Sequence, residues 1–355
     1  MRVNFIMETN SQKLKKIMLI DENECLNGGH NAVYREVLNT IEGTEIYDNP
    51  CKFPASSKHP IKGYFVRKQY VKSIPKCEIA CLLHLDTIYM YPSLMKRLKE
   101  EMGSVIGVLH WFPQGKMKER LLKKTSRYMD VIVVHSEYIK KQLEYVNIIN
   151  VKTIDYPIFC KMNFHELKKN SSTNKKTFVC MGGSRFDKGL DILADSFQYI
   201  SEKLREKIKF IVAGEEIDIP YNQILKQARL SDIEVTVHSK CLSEEEYWQC
   251  ISDADVVLLP YRKIFGGNSG PMTDGIALNK YILGPNYGNL GYLINRYNLG
   301  STFEIENAYS LAKEIERVSQ IDTTCNHDYR KCLDVRLFIK KYKELFNTIY
   351  NKKIF

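Results

Sequence analysis

The chain has no run of about 18 apolar residues, so no membrane-spanning helix is expected. It also lacks a signal-peptide pattern: residues 1–16 are polar, and the apolar run behind them is only Ile17–Ile20. Its 10 cysteines carry no pairing signal. Cys77 and Cys81 form the one close pair, at a spacing that suits neither a zinc site nor a thioredoxin motif, with no His/Cys partner pair elsewhere. Cys81 and Cys180 fall inside apolar, strand-like runs. The expectation is reduced core thiols in a cytosolic protein. Zinc-finger spacing, the aromatic pattern of RNA-recognition strands and an arginine-rich arm are missing as well, which argues against a nucleic-acid partner.

What is present is a basic, ordinary globular composition. The formal net charge is +10, from 52 Lys and Arg against 42 Asp and Glu. About +9 of it falls in the first 170 residues, mostly after residue 50. Such an excess suits an anionic membrane face or a phosphorylated acceptor as well as nucleic acid. Lys116–Tyr128 concentrates it on one helical stretch that also carries Met117, Leu121, Leu122 and Tyr128. That stretch can be read as a membrane-surface helix or as a solvated helix with an ordinary buried stripe. At 355 residues the chain is long enough for two domains.

Short apolar runs alternate with helical patterns along both halves. Residues 15–20 read as a first strand, followed by Gly28-Gly29 and a helix through Ala32, Val33, Val37, Leu38 and Ile41. Residues 45–75 offer only a short strand or two. Further strands are read at 78–84, at 105–110, where the run ends in His110, and at 130–136. Residues 160–176 are rich in Lys and Ser and read as a linker. The alternation then restarts with a strand at 177–181, the loop Gly182–Gly189, a single helix over 190–204, and strands at 209–214 and 233–238. Ser243 and Glu246 have capping-box spacing, and the tail 328–350 reads as one long amphipathic helix. Two such runs imply an α/β chain of two doubly wound parallel-sheet domains facing a cleft. Ligands in such sheets lie at the carboxyl ends of the strands.

The most informative stretch runs from Asp255 to Gly291. Val256–Leu259 is a buried-type strand, Tyr261–Asn268 a polar loop with glycines, and Ser269, Gly270 and Pro271 open a helix. Met272, Ile276 and Ala277 give that helix an apolar side, and a strand follows at 281–283. A helix N-terminus behind a glycine loop suits a phosphate. Asp274, one turn in, could reach sugar hydroxyls beside it. The plain alternative is a βαβ unit whose glycines only make a tight turn.

Taken together, KKIMLI, NGGHNAVYREVL, VLHWFP, DVIVVHSEYIKKQL, GGSRFDKGLDIL, FIVAGEE and SGPMTDGIALNKYILGPNYGNLG resemble, in order and spacing, a glycosyltransferase of family 4 (group 1). The resemblance implies the GT-B architecture, with residues 1–165 as the acceptor-side domain, 166–334 as the donor-side domain, and a terminal helix near 335–355 packing back on the first. It implies that Arg185 and Lys188 hold a donor diphosphate, with amides near Ser269, Gly270, Pro271 and Met272. It places Asp274 on the donor ribose, His110 on the transferred sugar, and Gly28, Gly29, Gly214 and Asn268 around the donor. The family signature has two glutamates separated by seven residues. Here the second position is Asp274 and the first is Gly266, so Asn268, Ser269 or backbone must contact the sugar instead.

The implied activity is retaining transfer of a sugar, of hexosyltransferase type, from a UDP- or GDP-linked donor. The acceptor would be a glycan or a lipid-diphosphate-linked molecule, in bacterial surface polysaccharide synthesis, with the enzyme cytoplasmic or peripheral on the inner membrane face. No Asp-x-Asp motif lies near the site, and neither a metal nor a resident cofactor is expected. A nucleotide-sugar epimerase on the same fold and a non-catalytic nucleotide-sugar-binding protein are the alternatives.

Overall fold

A computed structural model describes residues 17–21, 30–47, 60–160, 167 and 174–352. Gly28 and Gly29 lie outside the described residues, as does most of the expected linker. The first domain runs β1 (Ile17–Ile20), α1 (His30–Asn39), β2 (Thr44–Ile46), α2 (Pro60–Ser73), β3 (Ile79–Leu82), α3 (Pro92–Glu101), β4 (Ser104–Val108), α4 (Lys116–Ser126), β5 (Val131–Val134), α5 (Glu137–Tyr145) and β6 (Val151–Thr153). Its six parallel strands lie in the order β2-β1-β3-β4-β5-β6. β1, β3 and β4 are buried along their whole length, because helices cover both faces of the sheet. Apolar runs without alternation are what such strands require.

The second domain runs β7 (Lys176–Met181), α6 (Leu190–Ser196), α7 (Glu202–Arg205), β8 (Ile208–Ala213), α8 (Tyr221–Leu230), β9 (Glu234–His238), α9 (Glu244–Asp253), β10 (Val256–Leu258), α10 (Gly270–Ala277), β11 (Tyr281–Pro285), α11 (Gly288–Arg296), β12 (Gly300–Phe303) and α12 (Ala308–Ser319). The sheet order is β12-β11-β10-β7-β8-β9, again all parallel. The chain reverses its direction of travel across the sheet between β7 and β10. The loops leaving those two strands therefore flank a crevice, the place where such sheets bind ligands.

The last helix, α13 (Val335–Asn351), returns to the first domain. Phe338, Tyr342, Leu345, Phe346 and Ile349 join Ile17, Leu19, Tyr34 and Leu38 in one core cluster. The buried Tyr34 and Tyr342 hydroxyls meet at 2.5 Å, and Lys341 pairs with Asp155 at 2.8 Å. Across the interdomain boundary, Ser136 Oγ donates to Asn289 Oδ1 at 2.6 Å, and α5 packs on α11. Trp111 and Gly267 form an antiparallel bridge.

Three elements differ from the sequence expectation. Residues 60–73 form α2 where only strands were read. Its aromatic and apolar residues are spread round the helix: Tyr70 and Val71 are buried while Phe65 is exposed, so the pattern shows no clean period. The single helix expected over 190–204 is broken by a 3₁₀ turn at Phe197–Tyr199. Ser196 Oγ bonds back to Leu193 O at 2.6 Å, and Phe197 turns into the core against Phe210, with ring centroids 5.1 Å apart. The tail opens as a 3₁₀ turn at Asp328–Leu333 before Asp334 caps α13.

Candidate active site

The second-domain wall is built from the loops after β7 and β10. Behind β7, Gly189 takes φ +64 and lies so close to the Pro260 carbonyl that a Cβ would stand 2.1 Å from it. This contact locks the 185–189 turn onto the start of the β10 loop. Arg185 forks onto Asp187, Nε to Oδ1 at 2.9 Å and Nη2 to Oδ2 at 2.7 Å, and that hydrogen-bonded pairing holds its guanidinium pKa above the ordinary value. Lys188 turns inward. Its Nζ donates to the Tyr261 hydroxyl, lies 4.1 Å from the centroid of that ring and 5.5 Å from that of Phe265. Burial, with the positive charge of Arg185 as the second cause, pushes its pKa down to about 7.

Behind β10, Ser269 caps α10: its Oγ accepts from Met272 N at 3.3 Å, and Pro271 follows at the start of the helix. Tyr261 Oη and Ser269 Oγ are 3.1 Å apart. Lys188, Tyr261 and the amino end of α10 thus form one connected group.

The first-domain wall comes from three adjacent strand ends. β3, β4 and β5 are each followed by a histidine, and strand register brings His84, His110 and His135 side by side. The centroid of the His110 ring is 4.8 Å from that of His84 and 4.8 Å from that of His135. His110 Nε2 meets Leu83 O at 2.9 Å and its Nδ1 meets His135 Nε2 at 3.2 Å, while His135 Nδ1 meets Ile154 O at 2.9 Å. Three such contacts need three N–H groups, one more than two neutral imidazoles supply. Burial, then the charge of His110, lowers His84 to about 2 and His135 to about 3. Asp86 lies beside this stack, its oxygens accepting from His110 N at 2.9 Å and Trp111 N at 2.8 Å, and burial raises its pKa. Among the described residues no group of three or more His, Cys, Asp or Glu is arranged to hold a metal ion.

The two walls enclose a cavity of about 360 Å³ lined by His84, Asp86, His110, Trp111, Tyr156, Arg185, Lys188, Phe265, Asn268, Ser269, Gly270 and Pro271. Of the residues singled out from sequence, His110, Arg185, Lys188, Asn268, Ser269, Gly270 and Pro271 come together here. Met272 is buried behind the lining as part of the α10 cap. Gly214 is also absent from the lining. It packs on the Gly182–Gly183 turn at φ +148, where a Cβ would meet Gly182 O at 2.4 Å.

Two of the expected contacts are arranged differently here. Asp274 does not face the cavity: it is 0% exposed, and its Oδ2 accepts from Tyr247 of α9 at 2.7 Å. Turned this way, its carboxylate serves the α9–α10 contact. The His110 ring does line the cavity, but both of its nitrogens are engaged within the protein, so it offers no free N–H to a sugar hydroxyl in this arrangement.

Position 266, where the resembled family has a glutamate, lies close against the first domain. Phe112 N donates to Gly266 O at 3.4 Å, and a Cβ on Gly266 would stand 3.1 Å from Phe112 O. A Cβ on Gly267 would stand 2.9 Å from His110 O. The loop lies backbone to backbone on the first domain.

Sequence reading missed His84, Asp86, Trp111, Tyr156 and Phe265. A signal existed for the first two, since His84-Leu85-Asp86 follows a buried strand just as His110 does.

Residues 162–331, which span the second domain, match the family model for glycosyl transferases group 1. No curated protein sequence matches the chain. Among solved structures, sucrose-phosphate synthase from Thermosynechococcus elongatus superposes with a TM-score of 0.70 at 13% identity, over 95% of this chain and 100% of that one. HepE of Anabaena, solved in complex with UDP, gives 0.64 at 11% identity, over 94% of this chain and 100% of its own. A trehalose-phosphate synthase (UDP-forming) from Burkholderia vietnamiensis gives 0.69 at 7% identity, over 96% and 99%. At these identities the likeness is one of fold: two Rossmann-like domains in the GT-B arrangement.

Proposed function

We propose that this protein, whose second domain matches the group 1 glycosyl transferases, is a glycosyltransferase that takes its sugar from a nucleotide diphosphate donor held in the interdomain cavity. One observation carries the reading: Arg185, Lys188 and the amino end of α10 line the same wall, at the point where the second sheet reverses direction. Two cations and a helix N-terminus meet the charge that develops on a leaving diphosphate as the glycosidic bond breaks. The UDP bound by HepE and the UDP-forming activity of the Burkholderia synthase support a nucleotide of that class.

The finer proposal is retention of configuration. The acceptor oxygen attacks the face that the diphosphate leaves, and the acceptor proton passes to a phosphate oxygen. The carboxylate on the lining, Asp86, has both oxygens tied to backbone amides, which suits a fixed acceptor of sugar hydroxyls better than a nucleophile. A lipid-linked acceptor in surface polysaccharide assembly fits the basic first half, with Lys116, Lys118 and Met117 (73% exposed) at the start of α4. Among the described residues no helix is long and apolar enough to cross a membrane, so contact with a bilayer would be peripheral.

Thermal-shift titration with UDP, GDP and their sugars tests the donor. Ligand at about 100 times Kd adds about 2.7 kcal/mol of apparent stability. The wild type should shift with at least one nucleotide and Lys188→Ala should not. Equal shifts in both proteins would remove the diphosphate role.

A further inference from the structure

Tyr261 stands between the two phosphate-facing elements and belongs to neither. It follows Pro260 behind β10, is 2% exposed, and packs on Phe265 with centroids 4.6 Å apart. A phenylalanine would satisfy that packing equally well, so the hydroxyl has another use. It touches two groups, Lys188 Nζ and Ser269 Oγ.

Hydrogen-bond capacity gives the chain a direction. When charged, as it would be beside a phosphate, Lys188 has donors only, so it donates and Tyr261 Oη accepts. Burial raises the phenol's pKa, and the hydroxyl stays neutral through the working range. Its own hydrogen then has Ser269 Oγ as acceptor. Ser269 Oγ also accepts Met272 N as the helix cap. With both lone pairs engaged, the Ser269 hydrogen is the donor left over, on a residue that lines the cavity.

We propose that Tyr261 is a positioning residue that ties the Lys188 loop to the amino end of α10, presenting the Lys188 ammonium and the Ser269 hydroxyl together to one nucleoside diphosphate. This rests on the reading that the cavity holds such a diphosphate. Without the phenol oxygen, Lys188 would keep its aromatic neighbours but lose its oriented acceptor. The charged groups facing Lys188 are Arg185 and Asp187 on its own loop, and Cys180 from β7 faces it as a titratable thiol. None of these bridges to Ser269.

The test uses Tyr261→Phe, Ser269→Ala, the double variant and Lys188→Met, with UDP and GDP as probes in calorimetric titrations across pH. The Tyr261–Lys188 bond exists with and without ligand, so its loss reaches affinity only through the unoriented ammonium, and about tenfold, or about 1.4 kcal/mol, is the weakening the titration should read. Tyr261→Phe should keep its melting temperature within a few degrees, bind about tenfold more weakly, and move the pH midpoint of binding downward. Ser269→Ala should cost much less in the Tyr261→Phe background than alone, since the two share one path. That non-additivity also reads the link if Tyr261→Phe is partly destabilised. Wild-type affinity and an unmoved midpoint in Tyr261→Phe, with binding lost in Lys188→Met, would overturn the link and leave the donor site standing. Absence of binding to the wild type would overturn the donor site itself and the link with it.

Discussion

If a diphosphate enters beside Lys188, its binding must be linked to a proton, and the linkage can be worked out. The ammonium has its pKa lowered from 10.5 to about 7, by burial first and the Arg185 charge second. A phosphate within about 4–6 Å favours the charged form and raises a pKa by about 1–3 units. A rise of about two units puts the bound value near 9 and corresponds to about 2.7 kcal/mol. Nucleotide then binds best below pH 7, where Lys188 is already charged. Affinity falls as pH rises through 7, by about 25-fold between pH 7 and 9. The phosphate's own ionisation, near pH 6, lies below this window.

At pH 8 the free protein holds the Lys188 proton about one-tenth of the time and the complex about nine-tenths, so binding takes up about 0.8 proton. Titration calorimetry in two buffers of different ionisation enthalpy measures that number. The unligated protein has the converse property. A lysine whose folded pKa lies below its unfolded one opposes folding while charged, so stability should rise with pH between about 7 and 10.5. UDP binding without proton uptake at pH 8, or an unchanged pH slope in Lys188→Met, would refute the reasoning.

Other residues give sharper structural outcomes. Tyr247→Phe removes the hydrogen bond into the buried Asp274 carboxylate and should cost about 1–3 kcal/mol in urea unfolding, with little change in nucleotide affinity; a selective loss of affinity would mean that Asp274 reaches the ribose after all. Gly214→Ala forces a Cβ against the Gly182 backbone at φ +148 and should destabilise the protein by more than about 2 kcal/mol with or without UDP, read as a melting shift that nucleotide does not restore. Ser136→Ala and Asn289→Ala break the same interdomain bond, so their unfolding energies should fall short of additive by about 0.5–1.5 kcal/mol; strict additivity would mean that the bond is not formed in solution.

The elements legible in the sequence are those whose physics is local. A strand buried on both faces is an unbroken apolar run, and β3, β4, β7 and β8 announce themselves in that way. The cap and proline of α10 are a sequence-level signature because the bonds they make lie within four residues. α2 was not legible, because its buried apolar side chains, Tyr70 and Val71, are too few to set a period against exposed Phe65. The histidine stack could be read only in part. Each histidine is visible at a strand end, but their adjacency depends on the register of β3, β4 and β5, in which Leu82 pairs with Gly107 and Val108 with Val133. Asp274 accepts from Tyr247, 27 residues away on another helix, a contact that no local pattern announces.

The glycine at 266 shows why a motif position can be matched and its role still move. In the resembled family that position carries an acid for the donor sugar. In this chain the backbone there accepts the Phe112 amide, its neighbour bridges to Trp111, and Asn289 Nδ2 donates to Gly267 O at 3.2 Å and to Asn268 Oδ1 at 2.5 Å. Since Asn289 also accepts from Ser136, the 266–268 loop is tied to the first domain on two sides. A side chain in this place would stand 3.1 Å from the Phe112 carbonyl at its Cβ, a tight contact that a shift of a few tenths of an ångström would relieve. The 266–268 loop and the first domain thus pack closely at this position. In the proposed transfer, polar contacts to the sugar would come from the facing wall or from Asn268 and Ser269. Those are the residues that line the cavity opposite His84 and Asp86.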